Sequence, residues 1–497
     1  MSTLTKNQHE HLDEDFNNVF DLLMPICKYM QMNDETLDEN LSTAEVARLA
    51  GVHKDTLLRW LRAGSVAEPR RDRHGWRSFS RADAKRISEY SRLPESSLIE
   101  VPVTDAKSTR FSSLERIDWD FANAKTSYLT HGIHPYPAKF IPQIPNALIQ
   151  ELSSVGDTVG DIFCGSGTTL VEALTLKRNA VGVDANPLAC LISSAKTTAV
   201  TEVDAALLAD VRDRVKALGI ELERGSEKGA HFVSDGWRPG YEKLDFWFPS
   251  EVVEELAEIR KTCMELPLGA SRNLALVALS SIVVTVSRQD SDTRYVRRDK
   301  GIVRGETCKR FARALESSLH VATEFTELVE PRFSCTLSSS NLLNFPYIPQ
   351  LDLMVCSPPY PNAYSYHLYH MTRMIWLGMD QPLFKREEIG SHRKYSSKSK
   401  NAATVETFRT EFTSILSWLA GTLKQGGYAC FVVGDSTLRG ERINNADLIS
   451  QAGQASGFSE VARLKRTMQS SKKSFNPAIG KIKSEDILIL ENMGEKK

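Results

Sequence analysis

Hydrophobic and polar positions change their period several times along the chain, and each change marks an element. Short apolar runs bounded by glycine, proline or acid lie at 159–163, 180–183, 351–355, 428–433 and 486–490, and predict buried strands. Between the first two, the pattern at 169–176 predicts a helix behind a glycine loop, so that stretch reads as strand–loop–helix–strand. Amphipathic stretches near 203–218 and 250–265 predict helices. The run 274–286 is apolar throughout and too short to span a bilayer, so it predicts a buried helix. Positions 423–427, with Gly426 and Gly427, read as a helix stop and turn. The fold class expected is α/β: a doubly wound sheet, split by a mostly helical insertion over about 201–332.

The N-terminal quarter follows different rules. Residues 1–40 are acidic with an apolar stripe (Phe16, Val19, Phe20, Leu22, Leu23), for which a docking or dimer helix is the simplest reading. Ser42 and Thr43 can cap a helix over 44–50, Gly51-Val52 supplies a turn, and a second helix is expected over 54–62. A basic hairpin (Arg70, Arg71, Arg73, Arg77) and a helix from Arg81 complete a unit spanning 41–93. The run from Thr43 to Trp60 resembles the winged helix-turn-helix heads of the MerR type. That resemblance implies that Lys54, Thr56 and Arg59 enter a major groove while the four wing arginines meet phosphates. Residues 94–118, rich in serine and proline, are expected to be a linker.

Composition narrows the class. At 497 residues the chain is long enough for two or three domains, and 41% hydrophobic with 25% charged residues is ordinary for a soluble protein. A net charge of −1 excludes a global basic field, so any attraction to nucleic acid must come from local patches. The eight cysteines form no Cys-x-x-Cys pair, which argues against a zinc site or disulfide framework. The acidic N-terminus is no signal peptide. A soluble, cytoplasmic protein is expected.

Two motifs carry the chemistry. Asp161-Ile-Phe163-Cys-Gly165-Ser-Gly167-Thr168 leaves one strand and enters a helix, and its glycines let the backbone pass close to a ligand. Asp184, at the tip of the next strand, is placed to accept hydrogen bonds from ribose hydroxyls. The three-glycine pyrophosphate fingerprint is not met, because position 170 is leucine; a sulfonium cofactor suits the loop better than a dinucleotide. The second motif is Ser357-Pro358-Pro359-Tyr360, directly after the apolar run 351–355, with aromatic residues following at Tyr364 and Tyr366. Upstream, prolines 135, 137 and 142 stiffen a segment that includes Lys139 and Phe140.

Over about 130–200 and 333–490 these motifs resemble the amino-methylating DNA methyltransferases, the N4-cytosine and N6-adenine group. The resemblance implies a Rossmann-like methyltransferase domain at 119–200 and 333–492, with S-adenosyl-L-methionine as cofactor and double-stranded DNA as partner. A cognate restriction nuclease or phage-defence subunits are further implied partners. It places Lys139, Phe140, Asp161, Phe163, Gly165, Gly167, Thr168 and Asp184 around the cofactor. Ser357, Pro358, Pro359 and Tyr360 fall at the reacting amine, with Tyr360 stacked on a base rotated out of the duplex. Serine rather than aspartate at position 357 favours N4 of cytosine over N6 of adenine. The resemblance leaves the third-strand tip, 336–341, without its usual aspartate. Two basic runs, around Arg297 and Arg298 and around Arg393 and Lys394, read as solvated faces or as a clamp on DNA phosphates. The alternative is a DNA-binding regulator whose methyltransferase body is inactive or secondary.

Overall fold

The computed structural model describes residues 41–52, 54–62, 66–71, 77–91, 106–122, 124–226, 231–292, 294–361, 364–396, 402–467 and 484–494. The expected helix within 1–40, the first part of the linker, Arg73 and the lysines at 398 and 400 lie outside these residues, as do the side chains of Arg59 and Arg71. The chain divides into a small unit that ends near Glu100 and a large unit that begins near Val101.

In the small unit, Ser42 caps the helix Thr43–Leu49 through a reciprocal capping box with Glu45. Gly51, in the left-handed region at φ 68°, turns the chain into the helix Lys54–Arg62. Strands β1 (Arg70–Arg71) and β2 (Arg77–Ser78) pair, and the helix Arg81–Ser91 closes the unit. Val46, Leu57, Leu61, Phe79 and Ile87 form its core.

The large unit is built on a seven-stranded sheet. In chain order its strands are β3 (Thr158–Asp161), β4 (Asn179–Asp184), β7 (Cys335–Ser339), β8 (Leu351–Cys356), β9 (Leu423–Gly434), β12 (Phe458–Thr467) and β13 (Ser484–Asn492). Across the sheet they run β12-β13-β9-β8-β3-β4-β7. Pairs among β7, β4, β3, β8 and β9 are parallel, whereas β13 runs antiparallel to both its neighbours. Alternate residues of the central strands enter opposite cores. Leu353 and Val355 pack with the helices Ala106–Glu115, Gln143–Leu152 and Thr168–Thr175, while Met354 and Cys356 pack with Val405–Thr422 and Asn445–Ala455. A sheet covered on both faces explains why these strands read as continuous apolar runs.

From β3 the chain moves outward to β4 and β7, then returns to β8 and proceeds to β9 on the other side. The reversal lies between β3 and β8, and a crevice opens at the carboxyl ends of such a pair. Asp161 ends β3 and Cys356 ends β8, so both sequence motifs begin at this crevice.

The insertion is helical. Glu202–Ser226, Ser250–Glu265, Ala270–Val286 and Glu306–Leu328 pack with the helix Pro187–Thr197 around a core that includes Ile192, Leu256, Val283 and Phe311. It also carries a hairpin of β5 (Gln289–Ser291) and β6 (Arg294–Arg297). A second small hairpin, β10 (Ser436–Leu438) with β11 (Glu441–Ile443), follows β9.

Two expectations need correction, and one strand was not expected. Residues 106–115, assigned to the linker, form a helix whose Phe111 meets Tyr428 edge-on at 5.8 Å, because its apolar positions cover the sheet. Positions 423–427 are not a free turn. They begin β9 as an irregular start, where the register jumps from Leu351↔Leu423 to Leu353↔Tyr428 and Gly426 adopts φ 76°. Strand β12 had no expectation, because its burial is mostly partial and its alternation correspondingly weak. Among the described residues, no helix is long and apolar enough to cross a membrane.

Candidate active site

The glycine loop is shaped by hydrogen bonds to the next strand. Gly165 (φ 48°) donates its N–H to Asp184 Oδ2 at 2.8 Å, and Asn186 donates its N–H to Oδ1 at 2.8 Å. Gly167 (φ 76°) is the N-cap of the helix Thr168–Thr175, and a Cβ there would lie 2.8 Å from Ser193 Oγ. The loop therefore needs glycine at 167 for both conformation and space.

One cleft, enclosing about 800 Å³ with its mouth, joins the two motifs. Of the residues expected at the cofactor, Lys139, Phe140, Phe163, Gly165, Thr168 and Asp184 line it; of the serine–proline corner, Ser357 and Pro359 do. Gly167 and Asp161 lie behind the lining. Asp161 is 1% exposed and accepts the Phe163 N–H at 3.1 Å, so it props the loop from beneath.

Pro358 and Tyr360 are absent from the lining. Tyr360 packs against the core that holds Phe431 and Ile449, and its hydroxyl meets the backbone of Gly434, with Glu485 nearby. Strand β8 ends at Cys356, and beyond it Tyr360 turns onto this core while Ser357 and Pro359 line the cleft. The aromatic wall of the cleft is instead Tyr136 and Tyr366, stacked at 5.9 Å with His370 4.9 Å from Tyr136.

Several lining residues were missed from sequence. Asn186 caps the helix Pro187–Thr197, its side chain accepting the Leu188 N–H, and its amide lies 3.5 Å from the Tyr136 hydroxyl. An Asn-Pro pair directly after the strand-tip acid was a signal available for it. Ser340 and Asn341 follow β7 and line the cleft where the usual acid is lacking, with Asn341 donating to the Glu387 carbonyl. Glu388, 4% exposed, also lines it; no local pattern distinguished it from the neighbouring charges.

Burial governs the electrostatics. Desolvation pushes the Asp161 carboxyl up to about 7, opposed by the adjoining Thr169 hydroxyl and the Phe163 N–H. Enclosure likewise raises Asp184 to about 6, with the two loop amides pulling the other way and the Glu388 charge adding to the rise. Beside the cleft, buried Glu172 receives the Tyr128 hydroxyl, the Asn146 amide at 2.6 Å and a hydrogen bond shared with His131 Nε2 at 2.7 Å. The His131 carbonyl accepts from Lys139 at 3.0 Å and from the fully buried Lys196 at 3.3 Å. This network holds the stiff segment before helix Gln143–Leu152 in place.

The residues expected on DNA are distributed unevenly. Lys54 and Arg70 are exposed and Thr56 is half-buried. Arg77 is a correction: it is 6% exposed, with Nε on Glu68 at 2.8 Å, so its guanidinium is spent inside the small unit. Arg297 and Arg298 are exposed on the insertion hairpin, the first lying 5.1 Å over the Phe246 ring and the second 3.5 Å from Asp290. Arg393 and Lys394 sit in one helical turn, His392–Tyr395, rather than in the expected loop. Both basic runs are tied to the segment bearing Tyr366: Arg393 N–H donates to Ser365 Oγ, and Gln289 at the foot of the hairpin accepts from Thr372.

A profile for DNA methylases of the N6/N4 type matches residues 52–195. Type II methyltransferase M.MvaI of Kocuria varians is 32% identical over 171 residues, covering 34% of this chain and 36% of that protein. Type II methyltransferase M.MjaII of Methanocaldococcus jannaschii is 41% identical over 87 residues, 16% of each chain. Over these regions the chain is similar to type II methyltransferases. The aligned regions span about a third or less of those two relatives. Among solved structures, TrmN from Thermus thermophilus aligns over 71% of this chain and 49% of its own at 10% identity, with a TM-score of 0.28.

Proposed function

We propose that this protein is a type II DNA methyltransferase that transfers a methyl group from S-adenosyl-L-methionine to the N4 amine of cytosine in duplex DNA. The observation that carries the reading is the shared cleft, in which the glycine loop with Asp184 faces Ser357 and Pro359. The cleft fits the cofactor: Gly165 admits close backbone approach, Asp184 offers carboxylate oxygens for ribose hydroxyls, and Lys139 and Phe140 border the same space. When bound, S-adenosylmethionine supplies an electrophilic methyl group on a sulfonium.

An exocyclic amine is a poor nucleophile because its lone pair is delocalised into the ring. Ser357 Oγ and the Pro358 carbonyl, accepting from the two N–H bonds, draw the nitrogen toward a tetrahedral shape. Tyr366 and Tyr136 supply the aromatic wall for a base out of the stack. Catalysis is then mostly positioning, with reacting atoms brought to about 3–3.5 Å. The serine at 357 supports cytosine over adenine.

In this reading the small unit is a MerR-type winged helix-turn-helix, and Lys54, Thr56, Arg59, Arg70, Arg71 and Arg73 contact DNA. Its order of helix, Gly51 turn, helix and two-stranded ribbon supports that role. The exposed Arg297, Arg298 and Arg393, with Lys394, clamp phosphates near the target. A restriction or phage-defence system, with its own nuclease, is the setting that type II relatives suggest.

The test is nucleoside analysis of DNA from cells expressing the chain, beside a Ser357→Ala variant. N4-methylcytosine present with the first and lost with the second is expected. Finding only N6-methyladenine overturns the base assignment; methyl transfer to RNA alone overturns DNA as substrate.

A further inference from the structure

The charge inventory of the cleft is lopsided. Three carboxylates line it, from Asp184, Glu387 and Glu388, against one amine, Lys139, which is directed to the His131 carbonyl. Glu388 is the most enclosed of the three outside the recognised motifs, at 4% exposed. Its Oε1 accepts the Tyr366 N–H and its Oε2 pairs with His367 Nδ1, each at 2.5 Å. His367 is 1% exposed, and no described group meets its Nε2. Both partners hold the carboxylate in place. The Glu388 charge reaches across the cleft, since it helps raise Asp184.

We infer that Glu388 is a specificity residue for cofactor charge, favouring S-adenosylmethionine over the neutral thioether, S-adenosylhomocysteine, that remains after transfer. The inference rests on the reading of this cleft as the cofactor site. The two ligands differ by one methyl group and one positive charge, and share every nucleoside and amino-acid contact. A residue that separates them must act on that difference. A carboxylate held out of water acts strongly, because Coulomb attraction grows as the effective dielectric falls. Glu388 stands on the strip Phe384–Ile389 beside Asn341 and lines the same cleft as Asp184 and the glycine loop.

Isothermal titration of the full-length protein with each ligand separates the possibilities. Glu388→Gln keeps the shape and removes the charge. The S-adenosylmethionine Kd is expected to rise roughly tenfold in this variant, with S-adenosylhomocysteine changed by less than about twofold. An analogue bearing an ammonium in place of the methylated sulfur is expected to follow the cation. Retained thioether affinity reports an intact cleft. Glu388→Asp, which keeps the charge, is expected to preserve most of the discrimination and serves if the glutamine variant does not fold. Equal loss of both ligands overturns the inference, as does an unchanged ratio in glutamine or a ratio lost in aspartate. Wild-type protein that binds neither ligand overturns the cofactor reading itself, a different failure.

Discussion

The Thr169 hydroxyl donates a hydrogen bond to the Val355 carbonyl at 3.1 Å, inside a fully buried contact. That bond ties the helix behind the glycine loop to the strand that delivers Ser357, across 186 positions of sequence. It is a direct side-chain link between the two halves of the cleft, added to the β3–β8 pairing. Thr169→Val preserves volume but leaves the Val355 oxygen without this donor, at a cost of about 1–3 kcal/mol. The expected outcome is a lower urea midpoint, with methyl transfer slowed more than cofactor affinity is weakened. Unchanged unfolding and turnover would show that the tie is dispensable.

Gly167 tests the loop. With φ 76° and Ser193 Oγ only 2.8 Å from an added Cβ, Gly167→Ala is expected to destabilise the protein by about 1–3 kcal/mol. At Gly165 the nearest atom, a ring carbon of Tyr136, is 3.4 Å away, so Gly165→Ala carries backbone strain without a comparable collision. Thermal melts of the two variants should rank them in that order.

The buried Asp161 makes stability depend on pH. Its folded-state value, about 7, lies above the ordinary 3.8. Between those values the folded protein holds a proton that the unfolded chain has released. This residue's contribution to stability is therefore complete at low pH and declines as pH rises from about 4 to 7. Asp161→Asn removes the ionisation. Chemical unfolding of both proteins at pH 5 and pH 8 should shift in favour of the variant at the higher pH, on the order of 1.4 kcal/mol per unit of pH within the window. A shift of opposite sign would place the carboxylate in an environment that welcomes its charge.

The hairpin arginines test the DNA clamp. Arg297→Glu with Arg298→Glu is expected to weaken duplex binding at least about tenfold at low salt and to flatten the salt dependence by about two phosphate contacts. Fluorescence anisotropy against salt concentration measures both. Affinity and slope equal to wild type would remove the hairpin from the interface. Methionine-cofactor binding, measured alongside, should not change.

Much of this architecture was legible in the linear chain. The central strands are buried on both faces, so β3, β4, β8 and β9 appear as largely apolar runs. The glycine loop follows from a backbone constraint that only glycine meets at 167. The insertion helices followed from their amphipathic or wholly apolar periods. Strand β12 and the helix 106–115 escaped, because one is only partly buried and the other sits in serine-rich sequence with a weak apolar face.

The sequence by itself determined the order of elements, the two motifs and the residue types they bring, since each depends on local conformation or on burial that repeats with a fixed period. Only the tertiary structure decided which side chains share the cleft. Strand order placed β3 beside β8 and so brought Gly165 and Ser357 to one crevice. The same packing turned Tyr360 inward, locked Arg77 onto Glu68, and brought Tyr366 and Glu388 to the wall. Those outcomes depend on contacts between segments far apart in the chain, and no local period records which way a side chain will face when such segments meet.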